Sequence, residues 1–278
     1  MQRIFENYKN QIPRLGPRNT VQRYYATDDP KLWSKSNDYD ILKERGKEYS
    51  YKFNDHGFRC DDFSLSSEFP IVFLGCSNTC GVALQIENTW QYILLDKIKN
   101  LTNKKIPLWS LAAAGSSIDR QALLLEQYYD VLKPKVIFFL IPSLYRRLFA
   151  VNNEIIEYLP VHRTQLWRPD DITNKVKKFD SVFTEEDYAV FESYKNLLLI
   201  NQIAKTHNIK VYWESWGGEH DDVILRILCD QFSQYEFLNS PFVSGTSARD
   251  GSHAGPVTHR GLAETTFEKI KNDLQSFV

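Results

Sequence analysis

The chain has 278 residues, of which 42% are hydrophobic and 14% aromatic, so it can bury the core of one sizeable α/β domain with an appendage or of two small domains. The charges of its 34 basic and 35 acidic side chains nearly cancel. The sequence therefore has no overall excess of positive charge that would favour binding to nucleic acid or to an anionic membrane. The amino terminus lacks the apolar core of a secretory signal, and no apolar run could span a bilayer. We therefore expect a soluble, cytoplasmic protein that binds neither nucleic acid nor membrane.

The cysteines are Cys60, Cys76, Cys80 and Cys229, and no two of them form a C-x-x-C pair. They are too few for a disulfide scaffold, which is typical of a reducing compartment. We expect reduced thiols, although oxidation of Cys76 and Cys80 together stays an open alternative.

Residues 1–69 show no clear hydrophobic period, and we expect them to form an extension that packs on the core. An α/β domain then occupies residues 70–278. Its apolar runs of strand length are 71–75, 106–112, 136–141, 210–215 and, more weakly, 235–239. Helices are predicted between and after these runs: over 88–98, after a Ser116-Ser117 cap, and from Pro256 to the end of the chain.

Each predicted helix has one apolar face. The residues expected to be buried are Trp90, Ile93, Leu94 and Ile98; Ile118, Ala122, Leu125, Tyr129 and Leu132; and Ala263, Phe267, Ile270, Leu274 and Phe277. Strands that alternate with such helices predict a three-layer α/β/α fold with a central, mostly parallel sheet of about five strands. In sheets of this kind ligands bind beyond the carboxyl ends of the strands, which is where Ser77 follows "IVFLGC".

The stretch from 143 to about 183 is long, polar and contains proline. Such a loop is unusual in a compact domain unless it covers a site. We expect this insertion to form a lid or a pocket wall.

The segment "GCSNTCG" (75–81) has three interpretations. It could cradle a phosphate with its backbone N–H groups, although the Lys and Ser/Thr of a P-loop are missing. It could be an inert turn between a strand and a helix. It could also be a nucleophile elbow, in which small residues beside Ser77 allow a sharp turn that exposes the hydroxyl group.

A nucleophilic serine needs a histidine whose tautomer is fixed by a carboxylate. Among the six histidines, His253 alone has an acid three residues before it, Asp250 in "DGSH". The pair lies in a Gly/Ser-rich loop just before the last helix, from which a side chain can reach the strand ends. The alternative interpretation is a solvated pair in a loop.

Taken together, the motifs resemble the blocks of the SGNH (GDSL) hydrolase family over roughly residues 51–267. "GCSNTCG" is similar to the first block at Gly75, Ser77, Asn78, Thr79 and Gly81, with Cys76 where the family usually has Asp. "SLAAAGSS" is similar to the second block at Gly115, with Ser110 in place of its Asn. "DGSHAGPVTH" looks like the last block of bacterial and phage members, and "NDHGFR" like a segment that often precedes the first block.

The third block departs from the family pattern. After "VIFFLI" the family usually places Gly-x-Asn-Asp, whose Asn donates to the oxyanion, whereas this chain has "PSLYRR". Ser143 and Arg146 are the candidate replacements. Losing one such donor costs about 2.7–4 kcal/mol in a well-studied protease, so this position decides between an active and a degenerate site.

The resemblance implies a flavodoxin-like serine esterase in which Ser77 attacks, His253 is the base and Asp250 orients it. The oxyanion donors would be the N–H groups of Ser77 and Gly115, with Ser143 or Arg146. It implies no metal and no cofactor, and a small-molecule or carbohydrate ester substrate, O-acetyl groups on a carbohydrate being one candidate. A degenerate binding or virion-associated module, and an O-acyltransferase, are the alternatives; the oligomeric state and a phage origin are left open.

Three further features have simple explanations. "EHDD" (219–222) has the composition of a metal site but is expected at a solvated helix start, where acids favour the helix dipole. His259 is expected to be structural. Trp109, Trp213 and Trp216 follow strand patterns and are expected in the core or a pocket wall rather than in a stacking platform.

Overall fold

The computed structural model describes residues 17–151, 154–158, 182, 185–216, 219–239 and 245–276. The strands are β1 (Val21–Gln22), β2 (Tyr51–Lys52), β3 (Ile71–Leu74), β4 (Trp109–Ser110), β5 (Val136–Ile141), β6 (Arg147–Val151), β7 (Glu154–Tyr158), β8 (Lys210–Ser215) and β9 (Tyr235–Phe237). The helices are α1 (Tyr39–Arg45), α2 (Ser77–Cys80), α3 (Trp90–Thr102), α4 (Ile118–Leu132), α5 (Glu186–Thr206), α6 (Glu219–Cys229) and α7 (Pro256–Ser276). Within these ranges no helix is both long enough and apolar enough to cross a membrane.

The central sheet has five strands in the order β4-β3-β5-β8-β9, and all neighbouring strands are parallel. Counted within the sheet this is the flavodoxin-like order 2-1-3-4-5. The prediction of a mostly parallel sheet of about five strands is confirmed. Three of its strands are shorter than their predicted runs. The run 71–75 ends as a strand at Leu74, 106–112 forms a strand only at Trp109–Ser110, and 235–239 ends as a strand at Phe237.

Helices cover both faces of the sheet, which gives the predicted three layers. Along β3, Val72 and Leu74 point into one apolar cluster, which contains residues of α4, α5 and α6. Ile71 and Phe73 point into the other, which contains residues of α3 and α7. Successive side chains of a strand point to opposite faces, so a fully apolar run is what a strand covered on both sides requires.

The helix faces were predicted well but not completely. Ser117 caps α4 as expected, its hydroxyl accepting from the Arg120 N–H at 3.3 Å. On α3 the buried stripe includes Gln91 and Leu95. Three side chains that were expected to be buried are only half-buried: Ile93, Tyr129 and Phe267. Leu95 is buried because it belongs to the apolar cluster that contains residues of α7. The predicted burial of Phe277 lies outside the described residues.

Part of the insertion after β5 is a regular hairpin rather than an irregular loop. Strands β6 and β7 pair antiparallel, with Arg147 opposite Tyr158. Glu157 of β7 forms an ion pair with Arg120 at 2.5 Å and accepts from the Ser117 N–H. The hairpin therefore packs on the amino-terminal end of α4. Its predicted role as a lid or pocket wall stays a prediction, and residues 159–181 lie outside the described residues.

Candidate active site

Ser77 is the first residue of α2, immediately beyond the carboxyl end of β3. Gly81 ends this short helix with φ 76°, and a Cβ at Gly81 would lie 2.2 Å from the Thr89 side chain. A Cβ at Gly75 would lie 2.2 Å from Thr79 Oγ1. Only glycine fits these two positions, so the sharp turn that carries Ser77 depends on both.

The polar groups of Ser77 have few partners inside the protein. The hydroxyl donates to Cys76 Sγ over 4.0 Å, the limit for such a bond. The carbonyl accepts from the Gly81 and Val82 N–H groups, whereas the Ser77 N–H, at the start of α2, has no hydrogen-bond acceptor among the described residues. Ser77 is nevertheless buried, with 6% of its surface exposed, so the exposed hydroxyl expected of a nucleophile elbow is not observed. The N–H and the hydroxyl are left with no strong partner among the described residues.

Gln121 of α4 connects the two glycine-containing loops of the site. Its side-chain carbonyl accepts from the Gly75 N–H at 3.0 Å. Its amide donates to the Leu111 carbonyl at 3.2 Å and to the Ser116 hydroxyl at 2.7 Å. Gln121 is fully buried, and these bonds fix the loop before Ser77 relative to the loop that contains Gly115.

Asp250 and His253 form a hydrogen-bonded pair in the loop before α7. His253 Nδ1 lies 2.6 Å from Asp250 Oδ2, and Asp250 Oδ1 accepts from the N–H groups of Ser252 and His253 at 3.0 and 3.1 Å. Burial alone would raise the pKa of Asp250, but the hydrogen bond and charge of His253, the Ser252 N–H and the Thr27 hydroxyl hold this pKa well below its usual range. Asp250 is thus an ionised acceptor that fixes the His253 ring.

The amino-terminal extension also contacts this loop. Thr27 Oγ1 donates to Asp250 Oδ2 at 2.7 Å, and Asp28 forms an ion pair with Arg249 in which both side chains are almost fully buried. Thr27 and Asp28 were not among the predicted site residues, and no local sequence pattern marks them, because Thr27 and Asp250 are 223 positions apart.

Arg59 of "NDHGFR" contacts the segment that follows Ser77. Its guanidinium donates to the carbonyls of Cys80, Gly81 and Leu84 at 3.2, 2.5 and 2.8 Å. Within the same motif, Asn54 accepts from two following N–H groups and thereby sets the turn before Arg59. The motif thus supports the chain just after Ser77, while the proposed domain boundary at residue 69 stays a prediction.

A small apolar cluster brings the motif loops together. It consists of Val82, Ala83, Leu84 and Ala248, with Tyr25, Ala26 and Ala114 packed against it. Val82, Ala83 and Leu84 follow α2, and Ala248 lies shortly before Asp250. Tyr25 and Ala26 precede Thr27, and Ala114 precedes Gly115. Ala26 and Ala83 have φ of 56° and 63°, a strained backbone for alanine and one that is concentrated at functional sites in proteins.

The two candidate oxyanion residues lie just beyond β5. Ser143 is half-buried, and its hydroxyl oxygen accepts from the Tyr145 N–H at 3.5 Å, which leaves the O–H free to donate. Arg146 Nη1 donates to the Ser116 carbonyl at 3.4 Å, so its guanidinium lies against the Gly115 loop. Gly115 has φ 75°, and its N–H has no acceptor among the described residues.

The structure therefore pairs Asp250 with His253 and packs their loop against those of Ser77 and Gly115. Within the described ranges no hydrogen bond joins His253 to Ser77. Such bonds are often long until a substrate binds, so the arrangement is compatible with proton transfer from Ser77 to His253. The catalytic roles of these residues stay predictions.

The other residues singled out in the sequence have contacts that stabilise the fold. Glu219 begins α6, as expected of "EHDD", but the solvation expected of this segment is wrong at Asp221, which is buried and accepts from the Leu144 N–H at 3.3 Å. No group of three or more potential metal ligands occurs among the described residues. His259 is buried and its Nδ1 accepts from the Trp90 N–H at 3.1 Å, which supports the structural role predicted for it. Trp109 and Trp213 are buried in the core and Trp216 is partly buried against it. All four cysteines are free thiols.

No protein-family model and no curated protein matches the chain. Among solved structures it is similar to TesA, with 12% identity over 73% of this chain and 98% of that one, and a TM-score of 0.49. It is also similar to the acetyl xylan esterase AlAXEase (17% identity, 72% and 98% coverage, TM-score 0.46) and to a GDSL-like lipase from Bacteroides thetaiotaomicron (14%, 75% and 88%, 0.38). At such low identities and scores, residue roles must come from this chain's own motifs and contacts.

Proposed function

We propose that the chain is a serine ester hydrolase of the SGNH type, with Ser77 as nucleophile, His253 as general base and acid, and Asp250 as the residue that orients His253. The observation that carries this proposal is the Asp250–His253 pair at 2.6 Å in a loop that packs on the segment following Ser77. A serine at a strand tip and a carboxylate-held histidine are the parts that acyl transfer needs.

In the proposed reaction Ser77 Oγ attacks the ester carbonyl carbon while His253 Nε2 takes the hydroxyl proton. The tetrahedral intermediate collapses as its bond to the alcohol oxygen breaks, and His253 returns the proton to that oxygen. Water then attacks the acyl-enzyme, with His253 as base, and releases a carboxylic acid and free Ser77. Asp250, whose pKa is held well below its usual range, stays ionised and stabilises the imidazolium in both steps.

The oxyanion would be held by the N–H groups of Ser77 and Gly115, both without an internal acceptor in the part of the chain described. Gln121 sets the distance between the loops that carry them. Ser143 and Arg146 lie beyond the neighbouring strand and are the candidates for a third donor. Preorganised donors of this kind contribute much of the rate enhancement in acyl transfer.

The proposed substrate is an ester of a small molecule or a carbohydrate, O-acetyl sugars included. A panel of p-nitrophenyl esters and acetylated sugars tests this with the wild type, Ser77→Ala, and Ser66→Ala as an exposed-serine control. We expect turnover by the wild type and the control, and a loss of about 10⁴-fold or more in Ser77→Ala.

Two other outcomes would contradict a hydrolase. If the folded wild type hydrolyses no ester yet binds a sugar, the chain is a binding module with a degenerate site. If an added sugar accepts the acetyl group faster than water does, the chain is an acyltransferase. In the second case Ser77→Ala should still abolish the reaction, because both chemistries pass through the acyl-enzyme.

A further inference from the structure

The carboxylate of Asp250 has two hydroxyl partners besides His253. One is Ser252 of the same loop, whose Oγ donates to Oδ2 at 2.9 Å and lies 3.4 Å from His253 Nδ1, and the other is Thr27 of the amino-terminal extension. Thr27 Oγ1 donates to Asp250 Oδ2 at 2.7 Å, and this is the same oxygen that lies 2.6 Å from His253 Nδ1. Thr27 Oγ1 is also 3.4 Å from His253 Nδ1 itself. The hydroxyl therefore lies against both members of the pair, although it comes from the other end of the chain.

The position of Thr27 is fixed by the residue that follows it. Asp28 accepts two hydrogen bonds from Arg249, from Nε at 2.7 Å and from Nη2 at 2.5 Å, with side-chain exposures of 0% and 2%. Tyr51 also donates to Asp28 and accepts from the Ala83 N–H, close to α2. Two neighbouring residues of the extension thus contact two neighbouring residues of the loop before α7. Thr27 contacts Asp250, and Asp28 contacts Arg249.

The backbone of the same loop is held by two more residues of the extension. The Ser34 N–H donates to the Asp250 carbonyl at 3.2 Å, and Arg45 Nε donates to the Arg249 carbonyl at 2.8 Å. A Cβ at Gly251, which has φ 75°, would lie 2.1 Å from Ser34 Oγ. The extension and the loop therefore fit closely on both sides of Asp250.

We infer that Thr27 is a positioning residue, which holds the Asp250 carboxylate in the orientation that fixes His253, and that the Asp28–Arg249 ion pair keeps Thr27 in place. The catalytic consequence rests on the proposed function, but the effect on the pair itself does not. A bidentate, buried arginine–carboxylate pair is costly to break by removing one partner, so it gives the hydroxyl a well-defined position.

Loss of the Thr27 hydroxyl has two expected effects. Asp250 loses a donor that stabilises its charge, so it holds the imidazolium more strongly and His253 should titrate at higher pH. The carboxylate also gains rotational freedom, so the His253 ring is positioned less well and the chemical step slows. The other charged or titratable groups near the pair include the Asp28–Arg249 ion pair, Arg45, whose Nε donates to the Arg249 carbonyl, and His259 of α7. Burial, and then the charge of His253, lower the pKa of His259 to about 3, so His259 stays neutral.

The test compares Thr27→Val, which keeps the shape and loses the hydroxyl, with Thr27→Ser, which keeps the hydroxyl. The ring protons of His253 are titrated by NMR in the full-length wild type and both variants, and kcat and KM are measured with p-nitrophenyl acetate. In Thr27→Val we expect the His253 midpoint to rise by about half a unit or more and kcat to fall about 10-fold, with KM little changed. Thr27→Ser should resemble the wild type.

The two readouts separate this inference from the proposed function. If Thr27→Val titrates and reacts like the wild type, Thr27 does not position the pair. If the wild type proves inactive on esters, the proposed function fails, but the NMR titration still decides whether Thr27 acts on His253. If Thr27→Val loses its fold by circular dichroism, Thr27→Ala and Thr27→Ser are compared instead, and equal midpoints in these two would overturn the inference.

Discussion

The side-chain carbonyl of Gln121 accepts a hydrogen bond from the Gly75 N–H, 3.0 Å away and two residues before Ser77. The other end of the same side chain donates to the Ser116 hydroxyl, beside Gly115. One buried amide therefore sets the spacing of the two loops whose N–H groups are proposed to bind the oxyanion.

We predict that Gln121→Leu lowers both stability and kcat. The substitution leaves buried backbone groups without partners, at a cost of about 1–3 kcal/mol each in the free energy of unfolding. A shift in the oxyanion loops should weaken transition-state binding more than substrate binding. Urea unfolding and steady-state kinetics measure the two effects. Glu126→Ala, an exposed change on the same helix, is the control; equal kcat in both variants would show that Gln121 is only structural.

A second prediction concerns the dependence of stability on pH. Burial, and then the nearby charge of His253, lower the pKa of His259 to about 3. Since an unfolded histidine titrates near pH 6.5, between these values the unfolded state binds more protons than the native state. The free energy of unfolding should therefore fall as the pH decreases through this window, by up to about 1.4 kcal/mol per pH unit from this one group.

His259→Asn tests this point, since asparagine can still accept from the Trp90 N–H but cannot be protonated. Urea unfolding at several pH values should show a smaller loss of stability towards acid in this variant than in the wild type. The control is His207→Asn, an exposed histidine stacked on Tyr129, which should keep the wild-type slope. An unchanged slope in His259→Asn would contradict the assignment.

The third prediction is that residues 1–69 cannot be removed without loss of the site. Their deletion takes away Thr27 and Asp28 from the Asp250 loop and Arg59 from the loop after Ser77. The truncated chain should be insoluble, or soluble without esterase activity. Deletion of residues 1–16 alone removes none of the contacts described and serves as the control. A soluble, fully active chain that begins at residue 70 would show that the extension is only an appendage.

The fourth prediction distinguishes the two candidates for the third oxyanion donor. If Ser143 donates, Ser143→Ala should lower kcat about 10-fold or more with little change in KM, because the bond strengthens as charge develops on the carbonyl oxygen. If Arg146 donates instead, Arg146→Ala should produce this effect and Ser143→Ala should not. If neither variant changes kcat, the N–H groups of Ser77 and Gly115 suffice and the proposed third donor is wrong.

Local sequence patterns predicted the parallel sheet, the place of Ser77 beyond the end of β3, and the place of Asp250 and His253 in the loop before α7. Apolar runs and the apolar faces of helices are local sequence patterns that indicate secondary structure. A strand buried on both faces, such as β5, requires apolar residues at nearly every position. The places of the candidate site residues in the fold were predictable because a turn after a strand and a loop before a helix have recognisable sequence patterns, whereas their catalytic roles stay predictions.

The supporting contacts could not be predicted in the same way. Gln121 lies on the apolar face of α4. In a sequence pattern, a polar residue at such a position lowers the predicted burial of the helix face and does not indicate a buried contact. Thr27 and Asp28 belong to a segment without any period, and their partners lie more than two hundred residues away. Such contacts depend on the tertiary fold, which a single sequence does not give position by position.

The central claim, that Ser77 is a nucleophile activated by His253, is tested most directly by labelling with a fluorophosphonate and locating the adduct by peptide mass mapping. We predict one adduct per chain, on the peptide that contains Ser77, formed about 10²-fold or more slowly in a folded His253→Ala variant. A folded wild-type chain that takes no label, a label on another residue, or an equal rate in His253→Ala would contradict it.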